Sequence, residues 1–248
     1  MDYENDPKID IAESIRKVRD RINAACERAG RKPEEVTLIA VSKTKPFADI
    51  TRACETGVLD FGENYVQELT QKLELNDNSC ERMPIRWHMI GHLQKNKVKY
   101  LIGKTALIHS VDTTSLAEKL ETEAAKRDCT LKILLEVNVA GEETKWGFSP
   151  DCLLKAARDI SVFPHIRVLG LMTSAPATCE PETNREYFRN LNSLAHKLAE
   201  SGLLALNDPD FHSPVLSMGM TNDFEIAIEE GATMVRLGTA IFGKRNYT

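Results

Sequence analysis

The sequence predicts a single (β/α)8 barrel, and the alternation of its segments is the main reason. Apolar runs of strand length alternate with segments of helical period from one end of the chain to the other, and they provide eight strand candidates. A helical segment separates successive candidates, which is typical of parallel βα units. Eight units favour a closed barrel over an open doubly wound sheet. We expect an extra N-terminal helix at about 8–30, a barrel at about 34–245, and one domain spanning 1–248.

The first half of the chain contains four of the strand candidates. The opening helix ends at Gly30, and its apolar residues fall on one stripe: Ile11, Ile15, Val18, Ile22 and Ala25. The first strand, at about Val36 to Val41, precedes a helix near Ala48 to Glu55. The next three strands are "VLDFG", "IRWHMIG" and "ALIHSVD". Helical spacing follows the second and fourth strands, in Tyr65, Leu69 and Leu73 and in Leu116, Leu120 and Ala124.

The second half supplies the other four strands. "LKILLEVNV" is the longest apolar run and the fifth strand, and "IRVLGLMTS", "SPVLSMG" and "TMVRLGTA" follow it. The stretch from Pro150 to Ile160 supplies one of the helices between them. Two further helices are marked by apolar spacing, in Tyr187, Leu191, Leu194 and Leu198 and in Phe224, Ala227 and Ile228.

Composition excludes several classes of protein. The formal charge of -5 without a dominant basic block argues against a nucleic-acid-binding protein. No apolar run approaches the roughly 20 residues that span a bilayer, and the acidic N-terminus lacks a signal-peptide pattern, so we expect a cytoplasmic protein. Six cysteines without a CxxC pair, and His88 and His92 bracketing a strand end, indicate no metal site. We also expect a monomer, because no extended apolar patch lies outside the barrel pattern.

The site of such a barrel lies at the C-terminal ends of its strands, so polar residues that follow the apolar runs are the candidates. The candidates are Lys43, Glu63, Asn64, His92, Gln94, Asp112, Asn138, Thr173, Ser174, Ser217 to Thr221, Gly238 and Thr239. Lys43 in "LIAVSKTKP" is the sharpest of them, because a lysine desolvated at a strand end offers a neutral amine to an aldehyde. The alternative is an ordinary surface lysine. Lys45 precedes Pro46 and is expected to face solvent.

Two later stretches predict an anion site. In "SMGMTNDFE", Asn222 and Glu225 form a plausible capping box just beyond Gly219, which would direct backbone N–H groups at a phosphate. The alternative is a plain strand-to-helix turn. In "VRLGTAIFG", Arg236 lies within an apolar strand and should face either a polar ligand or the Glu136 carboxylate.

Taken together, "AVSKTKP", "FGENYVQE", "WHMIGHLQKNK", "GLMT" and "SMGMTNDFEIAIEEGATMVRLGTAIFG" resemble the pyridoxal phosphate homeostasis proteins. The matching motifs run from about Val36 to Gly243. This family is similar in fold to the N-terminal barrel domain of alanine racemase and binds pyridoxal 5'-phosphate (PLP) without an established catalytic reaction. The resemblance therefore implies a PLP-binding barrel with no catalytic residues.

The resemblance also implies roles for individual residues. Lys43 would form a Schiff base with the cofactor aldehyde, and Arg236 would lie against the pyridine nitrogen. Asn64 and Met172 would line the ring. The phosphate would be held by five residues of two motifs, namely Ser217, Met218, Gly219, Gly238 and Thr239. A guanidinium cannot accept a proton and would keep the ring nitrogen unprotonated, which weakens the cofactor as an electron sink.

These implications favour a protein of intracellular PLP homeostasis that holds the cofactor and delivers it to apo-enzymes. A low-activity PLP-dependent amino-acid racemase is the alternative, and a PLP-free barrel enzyme acting on a phosphorylated metabolite is the third. In alanine racemase the partner of the lysine is a tyrosine from an additional C-terminal β-domain. This sequence runs five residues beyond Gly243, so we expect no such domain.

Overall fold

The computed structural model of the chain describes residues 9–205 and 212–244. The acidic segment that opens the sequence lies outside these ranges. So do the predicted boundaries at residues 8 and 245.

Eight parallel strands close into one barrel in the order β1 to β8, which confirms the predicted fold class. The strands are β1 Thr37–Val41, β2 Asp60–Glu63, β3 Arg86–Met89, β4 Leu107–Val111, β5 Leu131–Glu136, β6 Ile166–Met172, β7 Val215–Ser217 and β8 Met234–Leu237. The first and last strands pair in parallel along four residues, from Thr37 opposite Met234 to Ala40 opposite Leu237. This closure brings residues about 200 positions apart in the sequence to the same end of the barrel.

Helices cover the outside of the barrel. They are α1 Ile11–Arg28, α2 Phe47–Glu55, α3 Val66–Asp77, α4 Thr114–Ala125, α5 Pro150–Ser161, α6 Arg185–Glu200, α7 Phe224–Glu229 and α8 Thr239–Phe242. The segment after β3 differs from expectation, because Lys95–Tyr100 forms a short 3-10 helix in place of an α-helix. No helix among the described residues combines the length and the apolar character that a bilayer span requires.

The extra N-terminal helix is present, and the sequence explains its position. Asp10 caps α1 by accepting a hydrogen bond from the Glu13 amide at 3.0 Å. The predicted apolar stripe of α1 is buried. Ion pairs join the outer face of α1 to α7, with Arg21 to Glu225 at 2.6 Å and Arg28 to Glu229 at 2.7 Å.

The apolar core has two parts. The larger part lies between the barrel and its helices. The smaller part fills the barrel interior with Ile39, Leu107, Leu134, Leu169, Met172, Val215 and Met234. Because side chains alternate along a strand, inward-facing residues two positions further along lie closer to the C-terminal mouth. This layer is apolar except for His88, which lies opposite Leu107, and polar side chains such as Ser217 and Arg236 lie above it.

Candidate functional site

A cavity of about 490 Å³ opens at the C-terminal ends of the strands. Residues that follow β1, β2, β3, β6, β7 and β8 line it. Five of the nine residues that the resemblance assigns to the cofactor are among them: Lys43, Asn64, Arg236, Gly238 and Thr239. Closure of the barrel is what brings these side chains into one site.

Lys43 enters the cavity from a tight turn after β1. The Lys45 amide donates to the Ser42 carbonyl at 3.0 Å, and Thr44 has a φ of 64°, a left-handed conformation that threonine rarely adopts. Lys43 is half-buried. The turn therefore holds the side chain at the mouth in an ordered position.

The expectation that Lys45 faces solvent is wrong. Lys45 is half-buried and lines the same cavity. Its Nζ donates to the carbonyls of Phe242 at 2.7 Å and Lys244 at 3.1 Å, so this ammonium is tied to the backbone around the end of α8.

Arg236 is 5% exposed and is held by hydrogen bonds to oxygen atoms. Its NH1 donates to the Ser217 carbonyl at 2.6 Å and to Ser217 Oγ at 2.7 Å, and its NH2 donates to the Thr173 carbonyl at 2.8 Å. Burial lowers its pKa to about 10, against the opposing charges of Glu136 and Asp223. Within the described residues no carboxylate lies at ion-pair distance from the Arg236 guanidinium, so the alternative of a pair with Glu136 is not formed. The Arg236 Nε–H has no acceptor in the same part of the chain.

Below Arg236, a chain of hydrogen bonds crosses the barrel interior. His109 Nδ1 lies 2.8 Å from Ser217 Oγ, its Nε2 lies 2.9 Å from His88 Nδ1, and His88 Nε2 lies 3.0 Å from Asp60 Oδ1. Burial lowers the pKa of His109 well below its ordinary value, and the charges of His88 and Arg236 act in the same direction. His109 is therefore neutral at physiological pH.

The direction of this chain follows from its two ends. An arginine only donates, so Ser217 Oγ accepts from Arg236 and its own O–H is available to His109 Nδ1. Although burial opposes it, hydrogen bonds from His88 and Arg86 hold the pKa of Asp60 below its ordinary value, so the carboxylate accepts. Both histidines then carry their proton on Nε2.

The other four of the nine residues that the resemblance assigns to the cofactor do not line the cavity. The Ser217 side chain supports Arg236, and Met172 belongs to the apolar layer of the barrel interior. Met218 packs in the outer core and its amide donates to the Met234 carbonyl at 3.1 Å. At Gly219 a Cβ would lie 2.6 Å from that of Ala227, so the close approach that requires glycine there is the packing of α7.

The turn between β7 and α7 lies on the cavity wall. The Thr221 and Asn222 amides have no acceptor among the described residues, and neither has the Thr239 amide at the start of α8. The predicted Asn222 and Glu225 capping box is wrong. Asp223 precedes the helix and accepts from the Met220 amide at 2.7 Å, while Glu225 pairs with arginines of α1.

Sequence reasoning missed the contribution of the segment after β6. Asn184 is 1% exposed and lines the cavity, and its Nδ2 donates to Asp223 Oδ2 at 2.8 Å. Its buried Oδ1 has no hydrogen-bond partner in the described part of the chain. Asn184 lies twelve residues beyond Met172, the end of β6, so a search for polar residues directly after each strand does not find it.

Asn64 and His92 are two further candidates, of which Asn64 lines the cavity and His92 does not. The Asn64 side chain does not cap α3, whose preceding residue is Tyr65. His92 stacks on Trp146 at 4.0 Å between ring centroids and lies 2.9 Å from Asp112 Oδ2. Across residues 9–205 and 212–244, no group of three histidine, cysteine or acidic side chains is arranged to hold a metal ion.

Glu136 is the acidic residue near Arg236 whose protonation is most altered. It ends β5 and is partly buried. Burial raises its pKa to about 7, the Asp112 carboxylate raises it further, and Arg236 opposes the shift. The charge of the site therefore changes close to neutral pH.

Comparison with known proteins agrees with this architecture. The family model for the N-terminal domain of alanine racemase matches residues 14–246. A pyridoxal phosphate homeostasis protein of Aquifex aeolicus is 44% identical over 239 residues, covering 96% of this chain and 100% of the relative.

Solved structures give the same picture. PipY of Synechococcus elongatus, solved with PLP bound, is 32% identical with a TM-score of 0.77, over 94% of this chain and all of that one. An alanine racemase of Clostridium difficile is 14% identical with a TM-score of 0.70, over 94% of this chain and 60% of that one, which shows a shared fold. The chain therefore belongs to the pyridoxal phosphate homeostasis proteins, a family built on the barrel of the alanine racemase N-terminal domain.

Proposed function

We propose that the chain binds PLP in the cavity at the mouth of the barrel and serves intracellular PLP homeostasis as a carrier. The observation that carries the proposal is the convergence of three features on one cavity of about 490 Å³: Lys43, Arg236 and backbone amides that have no acceptor among the described residues. The presence of PLP in the structure of the related PipY supports the same assignment.

The residues present fit the chemical groups of PLP. PLP supplies an aldehyde that reacts with amines and a ring that withdraws electrons. Lys43 would hold the aldehyde as a Schiff base, and Asn64 would contact the ring from the neighbouring strand end. The Arg236 Nε–H would donate to the pyridine nitrogen, because the other guanidinium nitrogens are already bonded to Ser217 and Thr173.

A phosphate would lie against the turns that follow β7 and β8. The amides of Thr221, Asn222 and Thr239 supply donors there, and Gly238 leaves room for close approach. Ser217, Met218 and Gly219 would support this wall from behind through their contacts with Arg236, the outer core and α7. Met172 would support the site from the apolar layer of the barrel interior without lining the cavity.

The polar groups around the cavity favour a carrier over a racemase. Racemization requires a second proton donor facing the lysine. In the described lining of the cavity, the titratable side chains besides Lys43 are Lys45, Asp223 and Arg236, and each is bound to the backbone or to a neighbouring side chain. Tyr65, the tyrosine nearest to a strand end, is 61% exposed and does not line the cavity. We therefore assign no catalytic residue. We also propose that the protein is a cytoplasmic monomer that supplies apo-enzymes.

Absorption spectroscopy tests the binding site. Purified protein incubated with PLP should develop visible absorption that borohydride reduction removes, and mass analysis should find the reduced cofactor on Lys43. Lys43→Ala should remain colourless, while Lys45→Met, a matched change in the same cavity, should keep the absorption. A colourless wild-type protein, or a label on another lysine, would contradict the proposal.

Isotope exchange separates the carrier from the racemase. The PLP-loaded protein is incubated with a panel of L-amino acids in deuterium oxide, and deuterium at the α-carbon is measured. A carrier should give no sustained exchange. Continued exchange that disappears in Lys43→Ala would instead establish racemase-like chemistry.

A further inference from the structure

Both residues that flank Lys43 are bound by a buried cluster of charged side chains from β2 and α3. Lys72 is 5% exposed, and its Nζ donates to the Ser42 carbonyl at 2.8 Å, to Glu63 Oε1 at 2.7 Å and to Glu68 Oε1 at 2.7 Å. Ser42 Oγ donates to the same Glu63 oxygen at 2.5 Å. Ser42 is thus bound through its side chain and its carbonyl.

Thr44, on the other side of Lys43, is bound by the same cluster. Its amide donates to Glu68 Oε1 at 2.6 Å, the oxygen that also accepts from Lys72. Thr44 is one of two non-glycine residues with positive φ in the described chain, and the other, Asp128, lies elsewhere. A left-handed threonine persists only where its surroundings enforce it, and such conformations concentrate at functional sites. The hydrogen bond that the Thr44 amide donates to the Glu68 carboxylate supplies that constraint.

We propose that Glu68 and Lys72 are positioning residues that hold the Ser42–Thr44 turn in the conformation that presents Lys43 to the cofactor. This inference rests on the proposed function, which assigns PLP as the ligand of Lys43. Glu68 acts on the Thr44 amide, and Lys72 joins Glu68 to the Ser42 carbonyl. The turn is ordered before the cofactor arrives, which lowers the entropic cost of binding. Lys72 itself does not compete for the aldehyde, because it is buried with three acceptors around its Nζ.

The charge of this cluster serves a purpose other than stability. A buried ion pair is weak as a source of stability, since desolvation offsets the attraction. Burial raises the pKa of Glu63, and Lys72 opposes the shift. The cluster instead supplies directed, charge-assisted hydrogen bonds to two backbone groups next to Lys43, which apolar residues cannot do.

Four variants test the proposal: Glu68→Ala, Glu68→Gln, Thr44→Gly and the double variant Glu68→Ala with Thr44→Gly. Glu74→Ala is the matched control, because Glu74 is an exposed glutamate on the same helix. Circular dichroism confirms that each protein is folded. The first readout is hydrogen exchange of the residue-44 amide, measured by NMR in the protein without PLP, and the second is the dissociation constant for PLP.

Glu68→Ala should speed exchange of the Thr44 amide and weaken PLP binding, each by about tenfold or more, which is the scale of a hydrogen bond to a charged group. Glu68→Gln keeps an acceptor oxygen and should lie between the wild type and Glu68→Ala in both readouts. Glycine adopts positive φ without strain, so the effect of Glu68→Ala on PLP affinity should shrink to about threefold or less when Thr44→Gly is also present. Glu74→Ala should match the wild type.

Three results would overturn the proposal: unchanged exchange of the Thr44 amide in Glu68→Ala, unchanged PLP affinity in that variant, or an equal loss of affinity with and without Thr44→Gly. Failure of the proposed function has a different signature. In that case the wild-type protein would not bind PLP at all, whereas the exchange measurement would still show whether the cluster holds the turn.

Discussion

Replacing Glu136 by glutamine should make the pH dependence of stability diverge from that of the wild type. Glu136 ends β5 beside the arginine of the site, and burial, helped by Asp112, raises its pKa to about 7. In the unfolded chain the carboxyl group titrates near the ordinary value of 4.5. Between these two values the folded protein retains a proton that the unfolded chain has lost.

The sign and the size follow from this difference. Below pH 4.5 both states are protonated and the carboxyl has no effect on the pH dependence, whereas above pH 7 its ionisation in a buried position is fully unfavourable to folding. At about 1.4 kcal/mol per pH unit between 4.5 and about 7, the cost approaches about 3.5 kcal/mol, an upper limit because the side chain is partly exposed. The free energy of unfolding of Glu136→Gln, minus that of the wild type, should therefore rise by about 2–3 kcal/mol between about pH 5 and pH 8.

Urea unfolding without PLP, followed by far-UV circular dichroism at intervals of half a pH unit, measures this difference. His109 gives the free energy of unfolding the opposite dependence on pH. As pH falls below 6.5, the unfolded chain binds a proton at this histidine that the folded protein does not, so the free energy of unfolding falls. That slope is common to both proteins and cancels in the difference. Glu143→Gln, on an exposed loop, is the control for removal of a charge. Parallel stability curves for wild type and Glu136→Gln would refute the reasoning.

Two further substitutions test the packing and polar contacts of the site. In Gly91→Ala the new Cβ would lie 2.4 Å from the Asn64 carbonyl oxygen, so the ends of two neighbouring strands must separate, and PLP titration should show affinity reduced by about tenfold or more; unchanged affinity would contradict this. His109→Leu leaves the Ser217 hydroxyl and His88 without their partner, so urea unfolding should show a loss of about 1–3 kcal/mol for each unpaired group, and equal stability would argue against the chain beneath Arg236.

The barrel was predictable from the sequence because its signals are local. Each strand is an apolar run followed by polar residues, and the run ending in Lys43 places that lysine at the mouth once the fold is known. The closure of β1 on β8 then accounts for its proximity to Arg236. Neither inference needs knowledge of side-chain contacts.

The parts that escaped prediction depend on side-chain direction and on long-range contacts. Ser217 lies two residues before Gly219 in a stretch that predicts a phosphate site, but its hydroxyl points inward to Arg236 and His109. Lys72 lies among polar residues of a helix, and nothing in its spacing distinguishes a buried lysine from an exposed one. Asn184 reaches the cavity from a segment whose path only the folded chain defines.

The hydrogen-bonded interior has a consequence for how the protein tolerates acid. A proton added to His109 would place a second positive charge beside Arg236, which has no carboxylate at ion-pair distance within the described chain. It would also make His109 Nδ1 a donor, so the hydrogen bond to Ser217 Oγ would reverse, while the bonds from His109 to His88 and from His88 to Asp60 would keep their direction. Because protonation of His109 is unfavourable in the folded barrel, mild acidification should leave the Arg236 guanidinium bound to Ser217.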